Sequence, residues 1–173
     1  RGMSPDQVLV LVNGKRLHTS ALIHVNGVIG RGSSGVDLDT ILLGSIEKVE
    51  ILRDGAAAQY GSDAISGVIN IVLKNSDGGT VWSQYGQTAE GDGESFELGA
   101  NYGVNIGDKG MLNLTFEYAD NGEMNRATPT TWFGSIDAPK KLLLVGEAET
   151  EMTSLWANFT YDLDENGQIY AFG

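Results

Sequence analysis

The chain has 173 residues, with 24 glycines, no cysteine and a formal net charge of −12. Without cysteine it cannot form disulfides or a thiolate-ligated zinc or iron–sulfur site, and its negative charge opposes binding to the phosphates of nucleic acids. No apolar run approaches the ~20 residues of a membrane-spanning helix, and no signal-peptide pattern is present.

The charge divides the chain in two. Residues 1–74 carry seven Lys or Arg and seven Asp or Glu, whereas residues 75–173 carry four and sixteen, so the whole negative excess lies in the second part. Residues 75–79 are Asn, Ser, Asp and two Gly, a composition typical of a turn or linker. We therefore expect one unit over 1–74, a linker at 75–79 and a second unit over 80–173.

Apolar runs predict three strands in the first unit. Residues 8–12 are continuously apolar or β-branched, which is typical of a strand buried on both faces. Comparable runs predict strands at 46–52 and 68–73. Asn13-Gly14 follows the first run directly and predicts a tight turn. These strands together indicate a small mixed sheet.

Long connections with short helices join these strands. Residues 17–36 have no hydrophobic period and are predicted to form a loop. The segment 37–39 offers an N-cap for a helix of one or two turns at 40–43. Residues 56–59 predict one helical turn, which Gly61 ends. The first unit is therefore expected to be α+β.

Apolar and polar residues alternate in the second unit. From 96 to 106 every second residue is apolar, and Gly, Asn or Glu stand between them. This period of two covers the length of a membrane-crossing strand, which needs ~9–11 residues. Residues 112–118 and 155–163 alternate in the same way, and a further strand begins at Gln168.

The connections in the second unit alternate in length. The turns at 107–110 and 164–167 are short, whereas the segment 120–151 is long and polar. Short turns at one end and long loops at the other are typical of outer-membrane barrels. Four aromatic residues near strand ends are candidates for the interfacial girdles of such a barrel: Trp82, Tyr85, Tyr118 and Tyr161. A soluble antiparallel sheet with one wet face remains the alternative, because alternation by itself fits both.

Two motifs suggest binding sites but lack the required context. Residues 30–35 fit G-x-G-x-x-G, yet Gly27 interrupts the apolar segment before them and the residues after them are too acidic to open a phosphate-binding helix. Residues 162–167 match the start of an EF-hand loop, yet its twelfth position would be Gly173, which cannot ligate. We expect a flexible loop and a polar hairpin turn, with weak surface Ca²⁺ binding as an alternative for the second.

Catalytic groups are scarce. His18 and His24 are the two histidines, and neither has an acidic residue nearby in sequence. Glu47 and Glu50 are three apart on a predicted strand, so they point to opposite faces and cannot act as a carboxylate pair. We expect no catalytic residues, no metal site and no cofactor, and an enzyme is the least favoured alternative.

Residues 36–41 and 45–71 are similar to the plug signature of TonB-dependent receptors. The sequence is V-D-L-D-T-I at 36–41 and S-I-E-K-V-E-I-L-R-D-G-A-A-A-Q-Y-G-S-D-A-I-S-G-V-I-N-I at 45–71. The family pattern is I-E-x-[IV]-E-[IV]-[LI]-R-[GD]-x-x-[SA]-x-x-Y-G-x-x-A-x-x-G-V-[IV]-N-[IV]. V-L-V-L-V-N-G-K-R-L at 8–17 resembles the plug strand and turn that precede this signature. Where many members have Arg-Gly-Pro, this chain has Arg53-Asp54-Gly55. The resemblance covers most of residues 8–74.

The resemblance implies a fold and a function. The parent would be a small α+β plug with a mixed sheet inside a large antiparallel transmembrane β-barrel of about 22 strands. This chain would carry the rear half of the plug and about five strands of an incomplete barrel, and so would be mostly β with short helices. The implied activity is import of a scarce nutrient (siderophore, cobalamin, haem or oligosaccharide) across the outer membrane of a Gram-negative bacterium. The implied partners are the TonB complex, whose contact box lies outside this chain, the nutrient ligand and outer-membrane lipid.

The resemblance also implies roles for five residues. Arg53, Glu47 and Glu50 match plug positions that pair with charges on the barrel wall, and a salt bridge local to the strand is the alternative. His24 and Arg31 lie in the loop that matches the upper face of the plug, where ligand is bound. The alternative for both is a solvated loop residue. A soluble ligand-binding protein of the periplasm or cell surface is the alternative for the whole chain.

Overall fold

The computed structural model describes residues 4–25, 30–53, 57–127, 145–165 and 167–173, and these form two sheets and a short ribbon. The small sheet contains β1 (Val8–Val12), β2 (Lys15–Arg16), β3 (Ile46–Arg53) and β4 (Gly67–Leu73). Its strand order is β2-β1-β4-β3, in which β1 runs parallel to β4 and the other neighbours are antiparallel. The sheet is therefore mixed, as the sequence predicts.

Short helices fill the connections of the small sheet. These are 3₁₀ helices at Pro5–Gln7, Leu43–Ser45 and Ser62–Ala64, and one α-helical turn, α1, at Ala57–Tyr60. The helical turn expected before Gly61 is thus present. The tight turn after β1 is also confirmed, because Asn13 and Gly14 both have positive φ, at 49° and 74°, as the two central residues of a type I′ hairpin require.

The helix predicted at 40–43 is wrong. Asp37 accepts the N–H of Asp39 on its side chain at 3.1 Å, and the Thr40 hydroxyl donates to the Asp37 carbonyl at 3.0 Å. Side-chain bonds of this kind compete with the helical pattern and favour turns. Ile41 and Leu42 follow the turn and are buried at 5% exposure. Packing of these two side chains has overridden a weak helical signal.

The large sheet is an antiparallel meander. It contains β5 (Gly78–Gly86), β6 (Ser95–Ile106), β7 (Gly110–Asn121), β10 (Thr150–Asp164) and β11 (Gly167–Phe172), in the order β11-β10-β7-β6-β5. A two-stranded ribbon of β8 (Met124–Asn125) and β9 (Gly146–Glu147) stands between β7 and β10. In the described part of the chain the five strands do not close into a barrel, and we call this open sheet the wall. Strand β5 begins at Gly78, inside the predicted linker.

Strands, not helices, flank the acidic turn after Asp164, so the EF-hand resemblance corresponds to a hairpin between β10 and β11. Among the described residues, the structure contains no helix long and apolar enough to cross a membrane.

The two sheets share an apolar core. One face of the small sheet contributes Val10, Val12, Ile71 and Leu73, together with Ile41, and Trp156 and Phe172 of the large sheet pack against this cluster. The opposite face of the small sheet packs Leu9, Leu11 and Val68 on Ala64. The core therefore joins the two units across their interface, which we call the seam.

Candidate functional site at the seam between the two sheets

The large sheet buries its polar face and exposes its apolar face. The buried polar residues are Asn101, Asn113, Thr115, Glu117 and Asn158, each at most 9% exposed. The exposed apolar residues include Phe96, Leu98, Tyr102, Val104, Leu114, Phe116 and Leu155, each at least 39% exposed. A soluble sheet has the reverse arrangement, with its apolar face against the core. An apolar surface of this extent needs a non-aqueous neighbour, and apolar-out with polar-in is the pattern of a membrane barrel.

Three side chains of the buried polar face are hydrogen-bonded to one another. Asn101 Nδ2 donates to Asn113 Oδ1 at 2.6 Å and to Thr115 Oγ1 at 2.7 Å. The three residues are directly opposite or diagonal on β6 and β7, where Asn101 pairs with Thr115 and Gly103 with Asn113. Buried polar groups are costly unless they are bonded in this way. These bonds lower the cost of burying Asn101, Asn113 and Thr115 under the small sheet.

Gly44 brings the small sheet into close contact with the wall. It lies in the 3₁₀ helix Leu43–Ser45, and its N–H donates to Glu117 Oε1 at 2.7 Å. A Cβ added at Gly44 would lie 2.1 Å from Cη2 of Trp82 and 2.8 Å from Glu117 Oε1. Only a residue without a side chain fits between the indole and the carboxylate. Glycine is needed here because a side chain would not fit. The backbone at Gly44 does not have the positive φ that would be a second reason for glycine.

Trp82 faces the seam, which corrects its assignment to an aromatic girdle. Its Nε1 donates to Glu97 Oε1 at 2.9 Å, and its ring lies over Gly99, the residue opposite it on β6. Tyr85 has the opposite orientation and is 65% exposed on the apolar face. The sequence signal for this difference is parity, because Trp82 and Tyr85 are three apart on one strand.

Two asparagines connect the end of β1 to the wall. Asn13 accepts the Leu73 N–H on its Oδ1 at 2.9 Å and donates from Nδ2 to Asn158 Oδ1 at 3.3 Å. Asn158 in turn donates to the Lys74 carbonyl at 3.0 Å. One side chain thus joins both strands of the parallel pair to β10. Sequence reasoning assigned Asn13 only to a turn and missed this second role.

Cation–π contacts and a cleft complete the seam. The Lys15 ammonium lies 4.8 Å from the centre of the Tyr170 ring, and that of Lys74 lies 6.0 Å from the centre of the Trp82 ring. A cleft of about 380 Å³ opens beside the first contact, and Glu47 lines it together with Asn13, Lys15 and Tyr170. The interface therefore combines an apolar centre with a polar, partly open margin.

Glu50 has local partners on the small sheet. It pairs with Lys48 at 2.8 Å and accepts from Asn70 Nδ2 at 2.9 Å. The hydrogen bond from Lys48 lowers the pKa of the Glu50 carboxyl, and the Asn70 amide lowers it further. Arg53 is exposed at the end of β3, which is an edge strand of the small sheet. Pairing of Arg53, Glu47 and Glu50 with a barrel wall stays a prediction.

His24 and Arg31 lie on one folded-back loop. The N–H of His24 donates to the Ser33 carbonyl at 3.0 Å, and the N–H of Gly32 donates to the His24 carbonyl at 2.8 Å. Both side chains are exposed, beside Ile23 and Val25 at 60% and 71% exposure. The loop thus presents a cation, an imidazole and apolar groups together, and residues 26–29 lie outside the described part. No helix follows the glycine motif over 33–42, so the nucleotide-binding context is missing there.

Gly44→Ala is expected to lower the free energy of unfolding by about 1–3 kcal/mol, the usual cost of overpacking. The added methyl must displace the Trp82 ring or break the bond to Glu117. Urea unfolding of the intact protein, followed by tryptophan fluorescence, measures the change. Gly86→Ala is the matched control, because its Cβ would meet only Ser95 at 4.0 Å. A second change, Trp82→Leu, should restore part of the loss; equal midpoints for Gly44→Ala and Gly86→Ala would contradict the contact.

Comparison with known proteins agrees with this architecture. Residues 1–68 match the family model of the TonB-dependent Receptor Plug Domain. The vitamin B12 transporter BtuB of Vibrio cholerae is 36% identical over 133 residues, which cover 75% of this chain and 19% of the relative. The probable TonB-dependent siderophore receptor PirA of Acinetobacter baumannii is 33% identical over 183 residues, which cover 99% of this chain and 24% of the relative.

A solved structure shows the same fold. The siderophore receptor PirA from Pseudomonas aeruginosa matches with a TM-score of 0.57 at 19% identity, over 99% of this chain and 26% of that one. The chain spans about a quarter or less of the length of these relatives. Its small mixed sheet matches the plug family, and its larger sheet has the polar-in, apolar-out arrangement of a barrel wall. The chain belongs to the TonB-dependent receptor family.

Proposed function

We propose that this chain is part of an outer-membrane active transporter that binds a scarce nutrient and imports it with energy delivered by TonB. The observation that carries the proposal is the inverted large sheet, where large apolar side chains such as Phe116 and Leu155 are exposed. On the opposite face Asn101, Asn113, Thr115, Glu117 and Asn158 are buried. In a transporter, lipid covers the exposed face and the plug covers the polar face. The mechanism is binding followed by rearrangement of the plug, without covalent chemistry.

The domain assignment follows from the same arrangement. We assign residues 1–74 to the rear half of the plug, 75–79 to the connection and 80–173 to the first strands of the barrel. The apolar cluster and the Asn13–Asn158 bond support this division, because they hold a compact unit against a wall. Gly78 and Gly79 already pair with β6, so the connection itself is short.

The names of the relatives reduce the number of candidate ligand classes. Those relatives are named for vitamin B12 and for siderophores. Another relative, the ferric enterobactin receptor of Pseudomonas aeruginosa, is 30% identical over 138 residues, which cover 76% of this chain and 17% of the relative. They are transporters and receptors, not enzymes. We propose a metal chelate of this kind as ligand, with His24 and Arg31 among its contacts, and TonB and outer-membrane lipid as the other partners.

Fractionation of cells that express the full-length protein tests the proposal. We expect the protein in the outer-membrane fraction, and we expect it to migrate faster on a denaturing gel before heating than after, since a closed barrel resists unfolding. The alternative, a soluble ligand-binding protein of the periplasm or cell surface, is not favoured, because it would leave this apolar face in water. Recovery in the soluble fraction with no effect of heating would overturn the transporter.

A further inference from the structure

Internal hydrogen bonds order the loop that connects β5 to β6. Thr88 Oγ1 donates to the Asp92 carbonyl at 2.9 Å and contacts Asp92 Oδ1 at 2.5 Å, while the Thr88 N–H donates to the same carbonyl at 3.1 Å. Gly91 and Gly93 turn the chain with φ of 79° and 59°, values that favour glycine. The loop 87–94 therefore has a defined shape of its own.

The ribbon of β8 and β9 forms the base of the longest connection in the large sheet. Met124 pairs with Glu147 and Asn125 with Gly146. The N–H of Arg126 donates to the Val145 carbonyl at 2.8 Å and closes the ribbon.

Arg126 follows β8 directly, and its side chain binds two residues of the loop 87–94. Its guanidinium contacts both carboxylate oxygens of Asp92, with Nη2 at 2.7 Å from Oδ1, and Nη2 also donates to Thr88 Oγ1 at 3.1 Å. Beside it, a Cβ added at Gly93 would lie 3.4 Å from Cβ of Met124, so the loop also packs against the Met124 side chain of the ribbon. The ion pair is half-buried, at 38% and 37% exposure.

We propose that Arg126, Asp92 and Thr88 form a clasp that makes the loop 87–94 and the β8–β9 ribbon open and close as one unit. The fork of an arginine on a carboxylate fixes orientation as well as distance, so the clasp holds the ribbon at one angle. On the proposed function, the loop 87–94 and the ribbon lie at the outer end of the barrel. The clasp then positions a part of the ligand entrance.

The electrostatics of the clasp agree with a persistent contact. The hydrogen bond from Arg126 holds the pKa of the Asp92 carboxyl well below its ordinary range, and the Thr88 hydroxyl lowers it further. Asp92 in turn raises the pKa of Arg126. Both groups are therefore charged at neutral pH, and the paired hydrogen bonds between them are charge-assisted.

Hydrogen exchange with crossed readouts tests the coupling. In the full-length receptor in detergent, Asp92→Asn should speed amide exchange in the ribbon at 122–127, and Arg126→Ala should speed it in the loop 87–94. About a threefold change is expected for a half-exposed pair, because exchange reports local opening. Arg126→Lys, which keeps the charge and loses the fork, should give an intermediate rate.

Arg16→Ala is the matched control. It removes an exposed arginine of β2 that pairs with Asp63 in the 3₁₀ helix Ser62–Ala64, and it should leave exchange in the loop and the ribbon unchanged. Faster exchange only on the mutated side, with the other side at its original rate, would overturn the coupling. That result would not affect the transporter proposal, which depends on membrane location and heat-modifiable migration.

Discussion

Phe116→Arg is expected to lower the amount of receptor that inserts into the outer membrane. Phe116 lies on β7 with 39% exposure on the apolar face, next to Ala100 on β6 and Leu155 on β10. An arginine facing lipid near the middle of a barrel strand costs about 2–4 kcal/mol. Cell fractionation and heat-modifiable migration of the full-length variant measure the loss.

Asp108→Arg is the control for this prediction, because it places the same side chain in the exposed turn between β6 and β7. It should insert normally, since arginine near the membrane interface costs about 0–1 kcal/mol. Equal insertion of Phe116→Arg and Asp108→Arg would show that no lipid covers the apolar face. The large sheet would then need another partner for that surface.

Leu73→Ala is expected to destabilise the receptor by about 2–5 kcal/mol, the range for removing a large buried apolar side chain. Leu73 is 1% exposed and belongs to the cluster against which Trp156 and Phe172 pack. Its N–H also donates to Asn13. The midpoint of urea unfolding in detergent micelles should fall. Tryptophan fluorescence can follow the transition because Trp156 packs against the same cluster.

Leu22→Ala is the matched control for this second change. It removes the same atoms from a side chain that is 77% exposed, and changes at such surface positions usually stay within about 0.5 kcal/mol. A midpoint for Leu73→Ala equal to that of Leu22→Ala would mean that the two sheets do not share a core. The plug would then rest against the wall through polar contacts alone.

Local patterns predicted most of the strands. The alternation over 96–106 and 112–118 is confirmed as β6 and β7, because successive side chains of a strand point to opposite faces whatever the surroundings. The runs at 8–12 and 68–73 are confirmed for a related reason, since both faces of these strands are covered. The helix at 40–43 failed because burial of Ile41 and Leu42 outweighed a capping signal.

The sequence by itself determined where most of the longer strands and the tight turn after β1 form, and its plug motif determined the family. Only the tertiary structure decided which face of the large sheet is buried, because alternation separates two faces without saying what covers either. It also decided the contacts of the seam. Gly44 meets Glu117 across 73 residues of chain, and Asn13 meets Asn158 across 145. Such pairs depend on the path of the whole backbone, and no local pattern encodes them.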